Sequence, residues 1–186
     1  MSSPADFDEE SAAARIAQND MRYHQARILL LLDSVCKAEG TGKKLDGLTK
    51  LAKLDFLVRY PAMAQRVIPA SSSDERLEPS DDERRETESP MIRYKYGPWD
   101  DRYYPIIGAL VGCGLAAYSK GRAGSVALRM TAQGRRFASE LRESQAWSDI
   151  ALRCDAVAEH VGSWNGNRLK EAVYQNLPEV VALRQR

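Results

Sequence analysis

The sequence predicts a mainly helical α+β fold, and three observations support this prediction. Apolar residues recur at helical spacing in the first third of the chain and again near its C-terminus. Between these regions, a short alternating stretch is interrupted by a glycine-rich turn, as in a β-hairpin. A single hairpin placed among helices is typical of α+β domains.

The composition narrows the class of protein. With 44% hydrophobic and 28% charged residues, the 186-residue chain is expected to fold as one globular domain, or as one domain with an appendage. Its 27 basic and 26 acidic residues give a net charge of +1, which argues against nucleic-acid binding through bulk charge. Cys36, Cys113 and Cys154 lack any C-x-x-C spacing, so reduced thiols are expected rather than disulfides or a zinc site. No secretory signal or membrane-spanning stretch is recognisable, so a cytoplasmic protein without membrane contact is expected.

The first part of the chain is predicted to hold three helices. Residues 1–14 are polar and predict a disordered leader, after which apolar residues at helical spacing predict a helix that ends before Gly40. Asp46 is placed to cap a second helix over residues 47–59. Pro61 suits the first turn of a third, short helix, where its missing N–H costs nothing.

Residues 70–90 interrupt this pattern with a strongly acidic stretch. Eight acidic residues and three arginines occur between residues 71 and 90, with almost no apolar side chain. Such a segment cannot bury enough apolar surface to offset its ordering, so it predicts a mobile acidic loop. Two interpretations stay open: a solvated insertion, which costs little stability, or a docking segment for a partner.

The next segment predicts a strand, a helix and a hairpin. Residues 91–96 alternate like a strand, and Asp100 or Asp101 caps a helix that continues to Gly112. Residues 114–130 then predict two strands joined by a glycine-rich turn.

The element after the hairpin completes a recognisable order. Thr131 is placed to cap a helix over residues 132–143, in which Phe137 and Leu141 are expected to face inward. The winged-helix pattern has this order of elements: a helix, a glycine-leucine exit, a hairpin that forms the wing, and a Thr-capped helix. A generic α+β domain is the alternative.

The predicted domain organisation follows from these elements. A winged-helix domain spans residues 15–145 and carries the acidic loop insertion at 70–90. Residues 146–186 form a C-terminal helical extension, with helices over 147–160 and 167–176 that a glycine- and asparagine-rich turn connects.

The sequence offers no catalytic or metal-ligating constellation. His24 and His160 belong to different predicted helices, and neither is spaced with other ligand residues as in a metal site. Asp100 and Asp101 are better explained by helix capping than by general acid work. No phosphate-binding glycine motif or nucleophile motif is present. A non-enzymatic protein without a cofactor is therefore expected.

The predicted helix over residues 100–112 is the one that would read DNA in a winged helix. Its single arginine, Arg102, follows two acidic residues, and the other side chains are apolar or small. Base readout needs Arg, Lys, Asn or Gln at positions that face the groove. This helix therefore favours contact with protein over contact with bases.

The predicted wing has a different character. Lys120 and Arg122 flank a glycine at its tip, and Arg129 is expected to share a face with them. Arg135 extends the basic character into the next helix. These four residues predict contact with DNA phosphates without sequence preference, although an exposed turn can also be basic by chance.

A cluster of aromatic and basic residues lies around the segment from 91 to 104. Such side chains can fill a core between a strand and a helix, or they can form an interface with a partner, where tyrosine and tryptophan are enriched. The interface hypothesis includes Arg93, Tyr94, Tyr96, Trp99, Arg102 and Tyr103.

Three stretches of the chain carry a family resemblance: residues 45–61, residues 89–100 with their Arg-Tyr-Lys-Tyr-Gly-Pro-Trp-Asp core, and residues 168–174. Together they resemble the small middle component of bacterial ABC-three-component systems, as in Lamassu-type antiphage defence. The similarity runs from about residue 25 to residue 180.

The resemblance implies a winged-helix accessory subunit that binds an SMC-like or RecN-like ATPase beside an effector subunit, with double-stranded DNA held by the complex. It implies no catalytic residues. Two other hypotheses stay open. A stand-alone winged-helix transcription regulator would bind a specific operator, and a small nuclease would need clustered carboxylates or histidines that the sequence lacks.

Overall fold

A computed structural model of the chain describes residues 20–68, 74–79 and 100–178. The predicted leader at 1–14 and the predicted strand at 91–96 lie outside these residues. These residues form a mainly helical α+β fold, as predicted, with one three-stranded antiparallel sheet among them. The described helices are α1 (Met21–Lys37), α2 (Leu48–Arg59), α3 (Pro61–Val67), α4 (Tyr103–Gly112), α5 (Ala132–Glu143), α6 (Gln145–Val161) and α7 (Gly166–Asn176). The strands are β1 (Leu45–Asp46), β2 (Ala116–Lys120) and β3 (Val126–Met130).

Helix α1 runs through the centre of the domain. The Asp20 side chain accepts a 2.9 Å hydrogen bond from the backbone N–H of Arg22 and so caps the helix. The five consecutive residues 28–32 are all buried, so the helix is enclosed around its whole circumference there. It packs against α6, α5 and α4.

The sheet has the strand order β1–β3–β2, and the predicted hairpin is confirmed as β2 and β3. Tyr118 pairs with Leu128 and Lys120 pairs with Val126. Because cross-strand partners share a face, these four side chains leave the hairpin on the same side. Strand β1 then adds to the outer edge of β3 through the pairing of Leu45 with Leu128.

The caps were predicted partly correctly. Thr131 accepts a 2.9 Å hydrogen bond from the N–H of Gly134 and caps α5, as predicted. Asp46 does not cap α2, because it belongs to β1 and pairs there with Ala127. Helix α2 begins instead after Gly47, whose φ of 87° lies in the left-handed region that favours glycine.

One core contains buried apolar residues from all seven described helices, those of α6 and α7 included. The extension predicted at residues 146–186 therefore contributes to the same core as the domain before it, as far as residue 178. Phe137 was expected to face inward, but 44% of it is exposed. The fully buried residues of α5 are Gly134 and Ala138, and Leu141 is partly buried against the core, as expected. Helix α5 lies so close to Leu115 that a Cβ atom on Gly134 would overlap the Leu115 carbonyl oxygen.

Residues 74–79 form an ordered part of the acidic segment. They include a 3₁₀ turn, Glu75–Leu77, that Asp74 caps through the N–H of Arg76. Leu77 is only 1% exposed and packs in the core. Arg76 contacts Glu159, and Asp74 contacts His160, both near the end of α6. The prediction of a mobile loop is therefore wrong for these six residues, because one leucine and its flanking charges anchor them.

Within the three described ranges, no helix is both long enough and apolar enough to cross a lipid bilayer.

Candidate protein and nucleic-acid interface

Helix α4 divides into a buried face and an exposed face. Tyr103, Ile106, Ile107 and Leu110 are buried and hold the helix against the core. The exposed face is formed by four residues that carry no charge and no amide: Tyr104, Pro105, Gly108 and Gly112. None of these side chains offers the hydrogen-bond pattern used to read base edges.

An open groove lies between α4 and the hairpin, with a volume of about 480 Å³. Its lining is apolar except for one serine and comprises Leu48, Tyr104, Ile107, Tyr118, Ser119 and Val126. Tyr118 and Val126 are 57% and 51% exposed, and Tyr104 is 62% exposed. Contiguous exposed apolar side chains of this kind are typical of interaction surfaces.

The tip of the β2–β3 hairpin brings together basic residues from two parts of the chain. Lys120 and Arg122 are exposed there, as predicted. The Lys44 Nζ atom donates a 3.0 Å hydrogen bond to the Lys120 carbonyl oxygen, which places a third cation at the tip. Asp46 lies between them, with its carboxylate 3.4 Å from Lys44 and 3.8 Å from Arg122. Lys44 and Arg122 therefore both contact the Asp46 carboxylate, and Lys120 lies next to them at the end of β2.

Arg129 and Arg135 do not join this cluster. Arg129 pairs with Ala117, three residues along β3 from Val126, so its side chain leaves the opposite face of the hairpin from Lys120. Arg135 donates a 3.1 Å hydrogen bond to the Met130 carbonyl oxygen at the start of α5. The expectation that Arg129 shares a face with Lys120 is wrong, because side chains alternate along a strand and the two positions differ by an odd step.

The residues proposed for a partner interface have different surroundings. Arg93, Tyr94, Tyr96 and Trp99 lie outside the described residues. Tyr103 is only 2% exposed, and its hydroxyl donates a 2.7 Å hydrogen bond to Asp55, so it belongs to the core and not to a surface. Arg102 is half-buried and its guanidinium donates to the Asp100 carboxylate at 2.6–3.0 Å. Intramolecular partners therefore account for both described members of this set.

These two residues belong to a buried polar network that joins α1, α2 and α4. The Arg27 guanidinium donates two hydrogen bonds to Asp55, at 2.7 and 3.0 Å, in a bidentate ion pair. Burial disfavours the ionised form of Asp55, but the Arg27 charge beside it outweighs this effect and lowers its pKa. Burial raises the pKa of Tyr103 well above its ordinary value, and the Asp55 charge raises it further, so the hydroxyl stays a donor.

His24 is also part of this network and is buried. Its Nδ1 atom is 3.0 Å from Nη1 of Arg27, and its Nε2 atom is 2.6 Å from Nη1 of Arg102. A neutral imidazole accepts through only one nitrogen, so the ring can accept a hydrogen bond from one of the two arginines at a time. Contacts with two guanidinium groups make a structural role the simplest interpretation of this histidine.

Within the described ranges, no three or more His, Cys, Asp or Glu side chains are grouped as metal ligands. His160 contacts Asp74 at 3.1 Å. Burial raises the pKa of the Cys154 thiol, and it raises that of Cys36 against smaller opposing effects of Arg129 and Arg135. Thiols with raised pKa values are poor nucleophiles at neutral pH.

Sequence reasoning missed the groove and the contribution of Lys44. A signal for the groove was present, because Tyr118 and Val126 are large apolar residues near the tip of a predicted hairpin, where polar residues are usual. No comparable signal existed for Lys44. It lies 76 positions from Lys120, and only the pairing of β1 with β3 brings the two together.

Comparisons of the chain with protein-family models, with curated proteins and with solved structures found no match.

Proposed function

We propose that this protein is a non-catalytic accessory subunit that binds an SMC-like ATPase in a cytoplasmic antiphage defence complex, as its family resemblance implies. We also propose that α2, α4 and the β2–β3 hairpin form a winged helix, with the hairpin as its wing. In this assignment α4 occupies the place of the helix that reads DNA in other winged-helix proteins.

The exposed face of α4 is the observation that carries the proposal. Tyr104, Pro105, Gly108 and Gly112 cannot read bases, but an aromatic ring beside bare helical backbone suits close contact with another polypeptide. A Cβ atom placed on Gly108 or Gly112 would meet no described atom within 4 Å. The internal packing of the described residues therefore does not require glycine at these positions, although glycine weakens a helix. The close approach of a partner to α4 explains why glycine occupies these two positions.

Co-purification tests the proposal. The full chain is co-expressed with the SMC-like ATPase that the proposal predicts to be encoded beside it, and complex formation is followed by size-exclusion chromatography. Gly108→Arg should leave the chain folded and abolish the complex, because the new side chain projects from α4 into the interface. Leu152→Arg is the matched control, since Leu152 is 48% exposed on α6. A wild-type chain that stays unbound, or a Gly108→Arg variant that still binds, contradicts the proposal.

A stand-alone DNA-binding regulator is the second candidate, and the cluster of Lys44, Lys120 and Arg122 at the wing tip favours it. These cations could contact phosphates, which gives weak, salt-sensitive binding without sequence preference. A transcription regulator also needs sequence-specific binding, because its operator has to be distinguished from other DNA. Selection of the isolated chain on random duplexes decides between the two candidates. Enrichment of one sequence would favour the regulator, and enrichment of none would favour the accessory subunit.

A further inference from the structure

We propose that the groove between α4 and the β2–β3 hairpin binds a partner segment in which a large apolar side chain is followed by acidic residues. This inference rests on the proposed function and specifies the chemistry of the segment that the accessory subunit would hold. Three observations support the inference: the apolar lining of the groove, the basic groups at one end of the groove, and the distance between this lining and these basic groups.

The lining of the groove suits large apolar side chains. Tyr104 on one wall faces the hairpin, where Tyr118 and Val126 form the other wall, and all three are more than half exposed. Ile107 and Leu48 complete the lining. A volume of about 480 Å³ is within the range of pockets that hold small ligands, and it can accommodate more than one large side chain. Filling it would remove apolar surface from water.

Basic groups lie at the hairpin end of the groove. Lys120 is the cross-strand partner of Val126, so its side chain leaves the hairpin on the face that lines the groove. The Lys44 Nζ atom lies at the same strand end, where it donates a hydrogen bond to the Lys120 carbonyl oxygen. The Asp46 carboxylate that it contacts leaves the opposite face of the sheet, because Asp46 pairs with Ala127. Arg122 follows in the turn and is exposed. This end of the groove therefore attracts carboxylates, while the rest of the lining is uncharged.

Two neighbouring features set the balance of charge at this end. Asp46 contacts Lys44 and Arg122 and offsets one of these two charges, so the hairpin end keeps an excess of positive charge. Helix α2 begins beside the groove at Leu48, and no side chain caps its N-terminus. The N-terminal end of a helix carries a positive partial charge, which adds to the attraction for carboxylates. A partner segment with an apolar anchor residue and acidic neighbours is therefore complementary to this groove.

The hairpin geometry sets the expected spacing between the apolar anchor and the acidic residue of the partner segment. Tyr118 and Lys120 point to the same face two residues apart, which is about 7 Å along a strand. An extended segment would match this distance with an acidic residue two positions after its apolar anchor. A helical segment would match it with an acidic residue three or four positions away.

A phage-displayed library of random dodecapeptides, selected on the full chain, is the probe. We expect enriched peptides to carry Leu, Phe, Tyr or Trp followed at one of these spacings by Asp or Glu. Their affinity, measured by fluorescence anisotropy, should fall at least about tenfold with Val126→Glu, which places a carboxylate in the groove. Leu152→Glu is the matched control and should leave the affinity unchanged. Tyr118→Glu repeats the test, should Val126→Glu fail to fold.

The charge requirement has a separate test. Lys120→Glu should weaken binding of the selected peptides about fivefold or more, and Arg136→Glu, an exposed reversal on α5, should not. Enriched peptides that are basic, an absence of any enriched pattern, or peptide affinities that resist both Val126→Glu and Lys120→Glu would overturn the inference. It would also be overturned if Lys120→Glu weakened binding of a short DNA duplex but not of the peptides.

These outcomes are distinguishable from failure of the proposed function. If the ATPase co-purifies with the chain and the peptide selection fails, the groove is not the docking site but the accessory role stands. If peptides with the expected pattern bind and the ATPase does not, the groove holds such a segment but belongs to a different partner.

Discussion

The Tyr103 hydroxyl donates a 2.7 Å hydrogen bond to the Asp55 carboxylate, and this contact joins α4 to α2. On its other side, Asp55 accepts two hydrogen bonds from the Arg27 guanidinium of α1. Helices α1, α2 and α4 therefore meet at one buried carboxylate. Because α4 also carries the exposed face assigned to the partner, this contact fixes the position of the surface on which the proposed function depends.

Asp55→Asn should destabilise the fold strongly. The amide keeps the size of the side chain but removes its charge, which leaves the buried Arg27 guanidinium without its counter-ion. Breaking a buried ion pair on one side typically costs about 3–5 kcal/mol. Urea unfolding followed by circular dichroism measures the change, with the exposed Asp149→Asn on α6 as control. A loss no larger than that of the control would contradict the role assigned to this pair.

Asp100 should make stability depend on pH in the acid range. Burial disfavours its ionised form, but hydrogen bonds from Arg102 outweigh this effect and lower its pKa to about 2 from the ordinary 3.8. Between these values the unfolded chain binds more protons, so the stabilisation is present above pH 3.8 and is lost as the pH falls toward 2. Unfolding free energies measured across this range should fall less steeply for Asp100→Asn. An equally steep fall of the unfolding free energy in Asp100→Asn would contradict the lowered pKa assigned to Asp100.

Leu77→Ala tests the anchoring of the acidic segment. Leu77 is buried in the core, so its truncation should cost about 2–5 kcal/mol, as for other buried leucines. Glu78→Ala changes the next, exposed residue and should have little effect. Chemical denaturation of both variants gives the comparison. Equal stabilities would show that residues 74–79 do not pack in solution, as the sequence had suggested.

Two helical glycines should respond to alanine with opposite signs. A Cβ on Gly134 would overlap the Leu115 carbonyl oxygen, so Gly134→Ala should lower the unfolding free energy by about 1–3 kcal/mol. Gly108 has no described atom within 4 Å of its added Cβ, so Gly108→Ala should raise the unfolding free energy by up to about 1 kcal/mol. Thermal unfolding of the two variants measures both changes. A shift of the same sign in both would contradict the packing described for α5 or α4.

Local patterns were sufficient for much of the secondary structure. Helix α5 begins at Ala132 after Thr131, as predicted, because a cap is a contact between neighbours in the sequence. The hairpin followed from alternation around a glycine-rich turn for the same reason. Phe137 shows the limit of this reasoning. The helical spacing predicted that Phe137 faces inward, but the helix turns Gly134 and Ala138 to the core and leaves Phe137 44% exposed.

The amino-acid sequence by itself determined the mainly helical α+β class, most helix boundaries and the lack of base-reading side chains on α4, since these depend on local propensity and on residue identity. Only the tertiary structure decided that Tyr103 lies in the core, that Arg129 leaves the hairpin on the face opposite Lys120, and that Lys44 joins the tip of the β2–β3 hairpin. Each of these depends on register or packing between segments far apart in the chain. Such contacts form only when the whole core is assembled, so no local pattern encodes them.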